Sequence, residues 1–212
     1  MCLACASLSV LPQCSPEGQP SHQKIKVPAQ SPKPVAVAVE IRDDGLAYAP
    51  GADTPFTGEA VDLHDDPAAT SPLRRTPYVD GKKHGAMTRW SPKGKLMDER
   101  HYDHGKPLHL IGYHSNGQKK IELTLNANDK GEGPHRRWHD NGVIQVESAF
   151  DAEERFHGEE KGYNREGTLI SHYRNEHGVL AEIIFETPEA KEARLKHWKM
   201  LEEAGVKTPE SK

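Results

Sequence analysis

The chain has 212 residues, of which 34% are hydrophobic and 28% charged, with 18 Gly and 16 Pro; this is too polar for a thick two-layer core throughout. The formal net charge of −4 gives no basic excess of the kind that follows a phosphate backbone, so no nucleic-acid partner is expected. No apolar run approaches the roughly 20 residues that span a bilayer.

In chain order, Cys2, Cys5 and Cys14 come first. They lie outside the patterned part of the chain, so no disulfide framework is encoded, and Cys2-x-x-Cys5 lacks the second ligand pair of a zinc site. Leu3-Ala4-Cys5 is similar to the end of a bacterial lipoprotein signal, yet no basic region precedes it, since Lys24 is the first lysine. Two locations are therefore weighed evenly: the cell envelope, with a signal upstream of Met1, and the cytoplasm. Residues 15–34 are rich in Pro, Ser and Gln, and residues 1–34 are expected to be a disordered tether. Residues 35–77 are expected to hold an N-terminal cap, with a strand starting at Val35-Ala36-Val37-Ala38-Val39, and a degenerate first repeat at Phe56-Thr57-Gly58 with Leu63.

From Tyr78 onward the chain repeats itself. An aromatic followed four residues later by glycine recurs as Trp90/Gly94, Tyr113/Gly117, Trp138/Gly142 and Tyr163/Gly167. Five residues before each aromatic stands Gly85, Leu108, Gly133 or Gly158; five after each second glycine stands Glu99, Glu122, Glu147 or His172. A bulky apolar column, Tyr102, Leu125 and Phe150, ends at Asn175. The turns Ser91-Pro92-Lys93-Gly94, His114-Ser115-Asn116-Gly117, His139-Asp140-Asn141-Gly142 and Asn164-Arg165-Glu166-Gly167 carry the residues of hairpin connections. Each repeat of 78–186 is thus read as one β-hairpin. Successive Trp and Tyr rings are expected to stack along the array and stabilise it.

Thr187 as N-cap, Pro188 at the first helical position and Gly205 as stop predict a helix over 187–205, with a disordered tail over 206–212. Leu195, Trp198 and Leu201 form its apolar stripe, expected to cover the last repeat and protect an open sheet edge.

The Gly-x4-aromatic-x3-Gly pattern with Asp-Gly-Lys linkers resembles the MORN repeat in its bacterial variant form. The resemblance covers a little over half the chain and implies a mainly β fold: an elongated, single-layer antiparallel sheet of stacked hairpins with a C-terminal α-helix. It implies a non-catalytic binding or scaffold protein with a protein partner. Bacterial relatives are often toxin–antitoxin antitoxins, and eukaryotic ones are linked to phospholipids. It carries over no catalytic residue and no cofactor. Leu108, His172 and the long linker from Pro67 to Tyr78 depart from the pattern.

Candidate interaction residues are Lys82, Lys83, Arg89, Lys93, Lys95 and Trp198. From Tyr78 to Arg137 there are 12 Lys+Arg against 7 Asp+Glu; from Trp138 to Glu186 there are 4 against 11. That gradient suits a charged partner, self-association, or an anionic lipid surface if the lysines share one face. No metal site is expected from the 13 His, because the same column in neighbouring hairpins is roughly 9.6 Å apart.

Overall fold

The computed structural model describes residues 36–206. The tether expected over 1–34, the three cysteines, and all but the first residue of the tail expected over 206–212 lie outside them. The described strands are β1 (Glu40–Ile41), β2 (Ala47–Tyr48), β3 (Gly58–Leu63), β4 (Pro72–Val79), β5 (Lys82–Lys83), β6 (Gly85–Trp90), β7 (Leu96–Asp103), β8 (Lys106–Tyr113), β9 (Lys119–Leu125), β10 (Gly131–Trp138), β11 (Ile144–Phe150), β12 (Gly158–Tyr163), β13 (Leu169–Glu176) and β14 (Val179–Glu186); one helix, α1 (Pro188–Glu203), follows.

Twelve of these strands form one antiparallel sheet that runs in sequence order from β3 at one edge to β14 at the other, except that β4 pairs with β6 while the short β5 pairs with β4 alone. The fold is mainly β, as the hairpin pattern predicts. The boundary placed between 77 and 78 falls inside β4, and the repeated hairpins begin with β3. The strand expected from Val35 is a single bridge, Val37 to Val61; the chain pairs instead as the short β1–β2 hairpin.

Turn chemistry explains the meander. At one margin each four-residue turn closes with a hydrogen bond from its glycine N–H to its first carbonyl, as in Gly94 N to Ser91 O (2.9 Å) and Gly142 N to His139 O (3.0 Å). Gly94, Gly117, Gly142 and Gly167 all have φ between 74° and 85°, which suits glycine. At the other margin Asp80-Gly81, His104-Gly105 and His177-Gly178 are two-residue loops with positive φ at both positions, matched to strand twist.

A feature the repeat pattern conceals is a bulge opposite each aromatic. The register slips between Arg89/Trp90, Gly112/Tyr113, Arg137/Trp138 and Gly162/Tyr163, leaving Met97, Lys120, Gln145 and Ile170 as extra residues. The same slip beside Leu63 places that residue in the aromatic column.

The rings of this column do not stack. Among the described residues no two of Trp90, Tyr113, Trp138 and Tyr163 are in ring contact. Successive members sit two strands apart, roughly 9.6 Å, beyond the 4.5–7 Å of aromatic pairs. The glutamate column and nearby cations fill the interval. Tyr163 Oη donates to Glu147 (3.2 Å), Lys119 Nζ lies 5.0 Å from the Trp138 ring centre, and the Arg75 guanidinium carbon lies 6.0 Å from that of Trp90. Burial, with the Glu99 carboxylate beside it, pushes the Tyr113 pKa up to about 12.

The buried column is the other one: Tyr78, Tyr102, Leu125 and Asn175 are buried, and Phe150 half-buried. The densest packing is at the β3 end, where Ala47, Ala60 and Tyr78 cluster with Val39 and Phe56.

Helix α1 forms where its caps place it: Thr187 Oγ1 accepts from Ala190 N at 3.2 Å. It does not seal the sheet. None of its residues is fully buried, although Leu195, Trp198 and Leu201 of the apolar stripe are half-buried, and Val179, Ile183, Ile184 and Phe185 on β14 stay exposed. Its anchor is polar: Arg194 donates to both carboxylate oxygens of Glu186 (2.9 and 3.0 Å), and its guanidinium covers the Trp198 ring. No helix among the described residues is long and apolar enough to cross a membrane.

Candidate functional site: a basic groove on one sheet face

Strand alternation sends every second residue to the same face. Across β4, β6, β7, β8, β9 and β10 the register lines up Arg74, Arg89, Asp98, Gly112, Ile121 and Arg137. The next row holds Met87, Arg100, Leu110, Leu123 and His135. All of these but Leu123 line an open groove of about 1160 Å³, with Phe150 and Phe156 at one end. The bulge residues Met97 and Lys120 also face it. Gly112 forms part of its floor, because a Cβ there would meet Ile121 Cγ2 at 2.7 Å.

Its charges divide into two sets. Arg74 is paired with Asp62 at 2.7 Å, Arg89 with Asp98, and Arg100 with Asp129. Lys83, Lys95, Lys120 and Arg137 form no ion pair among the described residues. Lys95 Nζ donates to Ser115 O (3.1 Å), and Lys83 Nζ lies 5.0 Å from the Tyr102 ring centre. The aromatic end is packed: Phe150 and Phe156 stack at 4.8 Å, and His135 lies 5.0 Å from Phe150 with Nδ1 at 2.8 Å from Ser148 Oγ. Burial, then the nearby Arg137 charge, holds the His135 pKa below its ordinary value. The arrangement can hold anionic groups along the strands and an apolar side chain at the Phe end.

Residues 83–104 match the family model described as the MORN repeat variant. The chain carries a MORN-variant repeat. The matched span begins in β5, takes in β6 and β7, and ends in the His104-Gly105 loop, which makes it one hairpin of the array. It contributes Lys83, Met87, Arg89, Lys95, Met97 and Arg100 to the groove. The MORN repeat marks a repeat protein involved in binding. No curated protein matches the chain significantly.

Of the six interaction candidates, the groove gathers Lys83, Arg89 and Lys95. Lys82 and Lys93 lie at opposite ends of the β6 hairpin, and Trp198 is on α1 under Arg194, so the six do not share a face. Arg89 is already paired with Asp98. Sequence reasoning missed Lys120, Arg137, Phe150 and Phe156 as groove residues. The third position after each turn glycine is the bulge residue, and that offset would have found Lys120.

Gly85, Gly133 and Gly158 have φ of 91°, 85° and 83°, so backbone freedom, more than room for rings, explains them. The histidines of the turn column couple neighbours: His114 Nε2 meets Trp138 O (2.8 Å) and His139 Nε2 meets Tyr163 O (2.9 Å). Other histidines meet across different columns: His84 with His104, His101 with His109, and His157 with His177, at ring separations of 4.4, 4.2 and 4.9 Å.

Proposed function

We propose that this protein binds, without catalysis, an acidic segment of another protein along the groove. The observation that carries the reading is four cations without ion-pair partners among the described residues, Lys83, Lys95, Lys120 and Arg137, in one groove with a stacked Phe150–Phe156 end. Such cations steer and hold carboxylates, and their attraction weakens with salt. An apolar side chain at the Phe end adds buried area that charge alone does not supply. An antitoxin role is the case in which the bound protein is a toxin.

The test is fluorescence anisotropy of a labelled peptide of alternating acidic residues with one Phe. Binding is expected at low salt and is expected to weaken at least tenfold in Lys120→Glu/Arg137→Glu. Peptide binding unchanged in that variant refutes the reading. Binding confined to anionic vesicles would assign the cations to a membrane surface, where Lys82 and Lys93 at opposite margins fit less well. Co-expression with the product of an adjacent toxic reading frame decides the antitoxin case.

A further inference from the structure

We propose that His84, Asp103 and His104 form a binding site for a divalent transition-metal ion of the zinc class, separate from the groove's acidic-segment reading. Their ligand atoms all lie within 4.8 Å of one another. Asp103 Oδ1 stands 2.7 Å from His104 Nδ1 and 3.4 Å from His84 Nδ1. With bonds of roughly 2.0–2.1 Å, those separations correspond to ligand–metal–ligand angles of about 80° and about 110°, close to a tetrahedral or distorted octahedral corner. Two imidazoles and a carboxylate are the donor set of such ions, and the exposed side of the cluster leaves room for water.

The backbone holds the donors in place from both sides. His104 occupies the first position of the two-residue His104-Gly105 loop at φ 46°, and Gly105 N donates to Lys83 O at 2.7 Å. His84 N in turn donates to Pro77 O at 3.0 Å. The loop that carries two donors is thereby tied to the residue beside the third.

A second cluster in the same sheet shows what this one lacks. Around Asp151, His177 Nδ1 lies 2.9 Å from the carboxylate and the His157 ring packs on His177, but Arg155 stands between them, 2.9 Å from Asp151 and 3.2 Å from His177 Nδ1. The guanidinium supplies the positive charge. Among the described residues no Lys or Arg pairs with Asp103; the His104 backbone N–H donates weakly to His84 Nδ1 at 3.4 Å and His104 Nδ1 meets Asp103, so the three donors converge with no side-chain cation. A proton or a metal ion satisfies them, and the test separates the two.

Zinc is titrated at neutral pH into the untagged full chain carrying Cys2→Ser, Cys5→Ser and Cys14→Ser, with a chromophoric chelator reporting free zinc. One equivalent is expected to bind. His84→Gln and His104→Asn are each expected to weaken it at least tenfold, and His177→Asn to leave it unchanged. Asn tolerates the left-handed backbone of the loop, and an unchanged strand circular dichroism spectrum shows that the fold is kept. Cobalt(II) is expected to give a visible absorption band lost in the same two variants. Absence of saturable uptake overturns the proposal. Equal affinity in the parent and His84→Gln also overturns it, as does an equal loss in His177→Asn.

Discussion

His135 is a buried imidazole between a hydroxyl and two phenyl rings, and its titration is a direct probe of the groove's aromatic end. Burial and the Arg137 charge depress its folded-state pKa below the ordinary 6.5. The unfolded chain therefore binds the proton more readily. The stabilisation is fully present above about pH 6.5 and is lost as pH falls through the depressed value. His109 is shifted the same way by burial and by its stacked neighbour His101. Urea midpoints of the parent should fall between pH 7.5 and pH 5, and His135→Gln should show a smaller fall. Equal pH slopes in the two proteins would exclude His135 as a source. Glycines permit a second test at this scale. Gly81 has φ 76°, and a Cβ there would meet Leu46 Cβ at 2.8 Å and Ala47 O at 3.1 Å. Gly117 has φ 85° with nothing within 4 Å. Gly117→Ala should cost only the left-handed penalty, about 1–2 kcal/mol, and Gly81→Ala clearly more, measured by urea unfolding. Similar losses would show that the β2 contact adds nothing.

At the scale of elements, the helix and the hairpins differ in how they are held. Helix α1 fully buries none of its residues and is held by its cap, by the Arg194–Glu186 pair and by a half-buried stripe of Leu195, Trp198 and Leu201. Thr187→Ala should therefore remove about 1 kcal/mol of helix stability. Faster amide exchange should be confined to 188–203, with the β3–β4 amides unchanged; exchange spreading across the sheet would contradict a locally held helix. The hairpins were legible in the sequence because their turns use residues with backbone demands of their own: Gly94, Gly117, Gly142 and Gly167 take positive φ that other residues avoid. Leu63 could be placed in the aromatic column by counting five residues on from Gly58. The stacking of rings was misread because a column counted along the chain ignores the strand between its members, whereas Glu147 reaches Tyr163 across that interval. The groove was only half legible. Alternation finds Arg89 and Arg137, but the bulge that brings Lys120 to the same face adds a residue that period-2 counting skips. The His84–Asp103–His104 cluster was hidden because its donors come from different columns, joined by loop geometry.

Across the described sheet the two edges are unlike, and that asymmetry governs how the array should open. At the β3 edge Val37 bridges Val61, and Ala47, Tyr48, Ala60, Val61, Thr76 and Tyr78 are buried. At the β14 edge the outer strand carries exposed Val179, Ile183, Ile184 and Phe185, and the helix leaves them uncovered. Each strand bonds only to its neighbours, so stability is a sum of local terms, and an end with little burial frays without dragging the rest along. Hydrogen exchange on the native protein should give a gradient: amides of β3, β4 and β6 slowest, those of β13 and β14 fastest, with the ladder bonds of His114 and His139 holding the middle repeats between these limits. Tyr78→Ala should lower protection chiefly in β3 to β6, because it empties the cluster shared with Ala47 and Phe56. If the opening free energy proved the same in β4 and β14, and Tyr78→Ala lowered both equally, the sheet would be melting as one cooperative block, and nearest-neighbour pairing would not be what limits it.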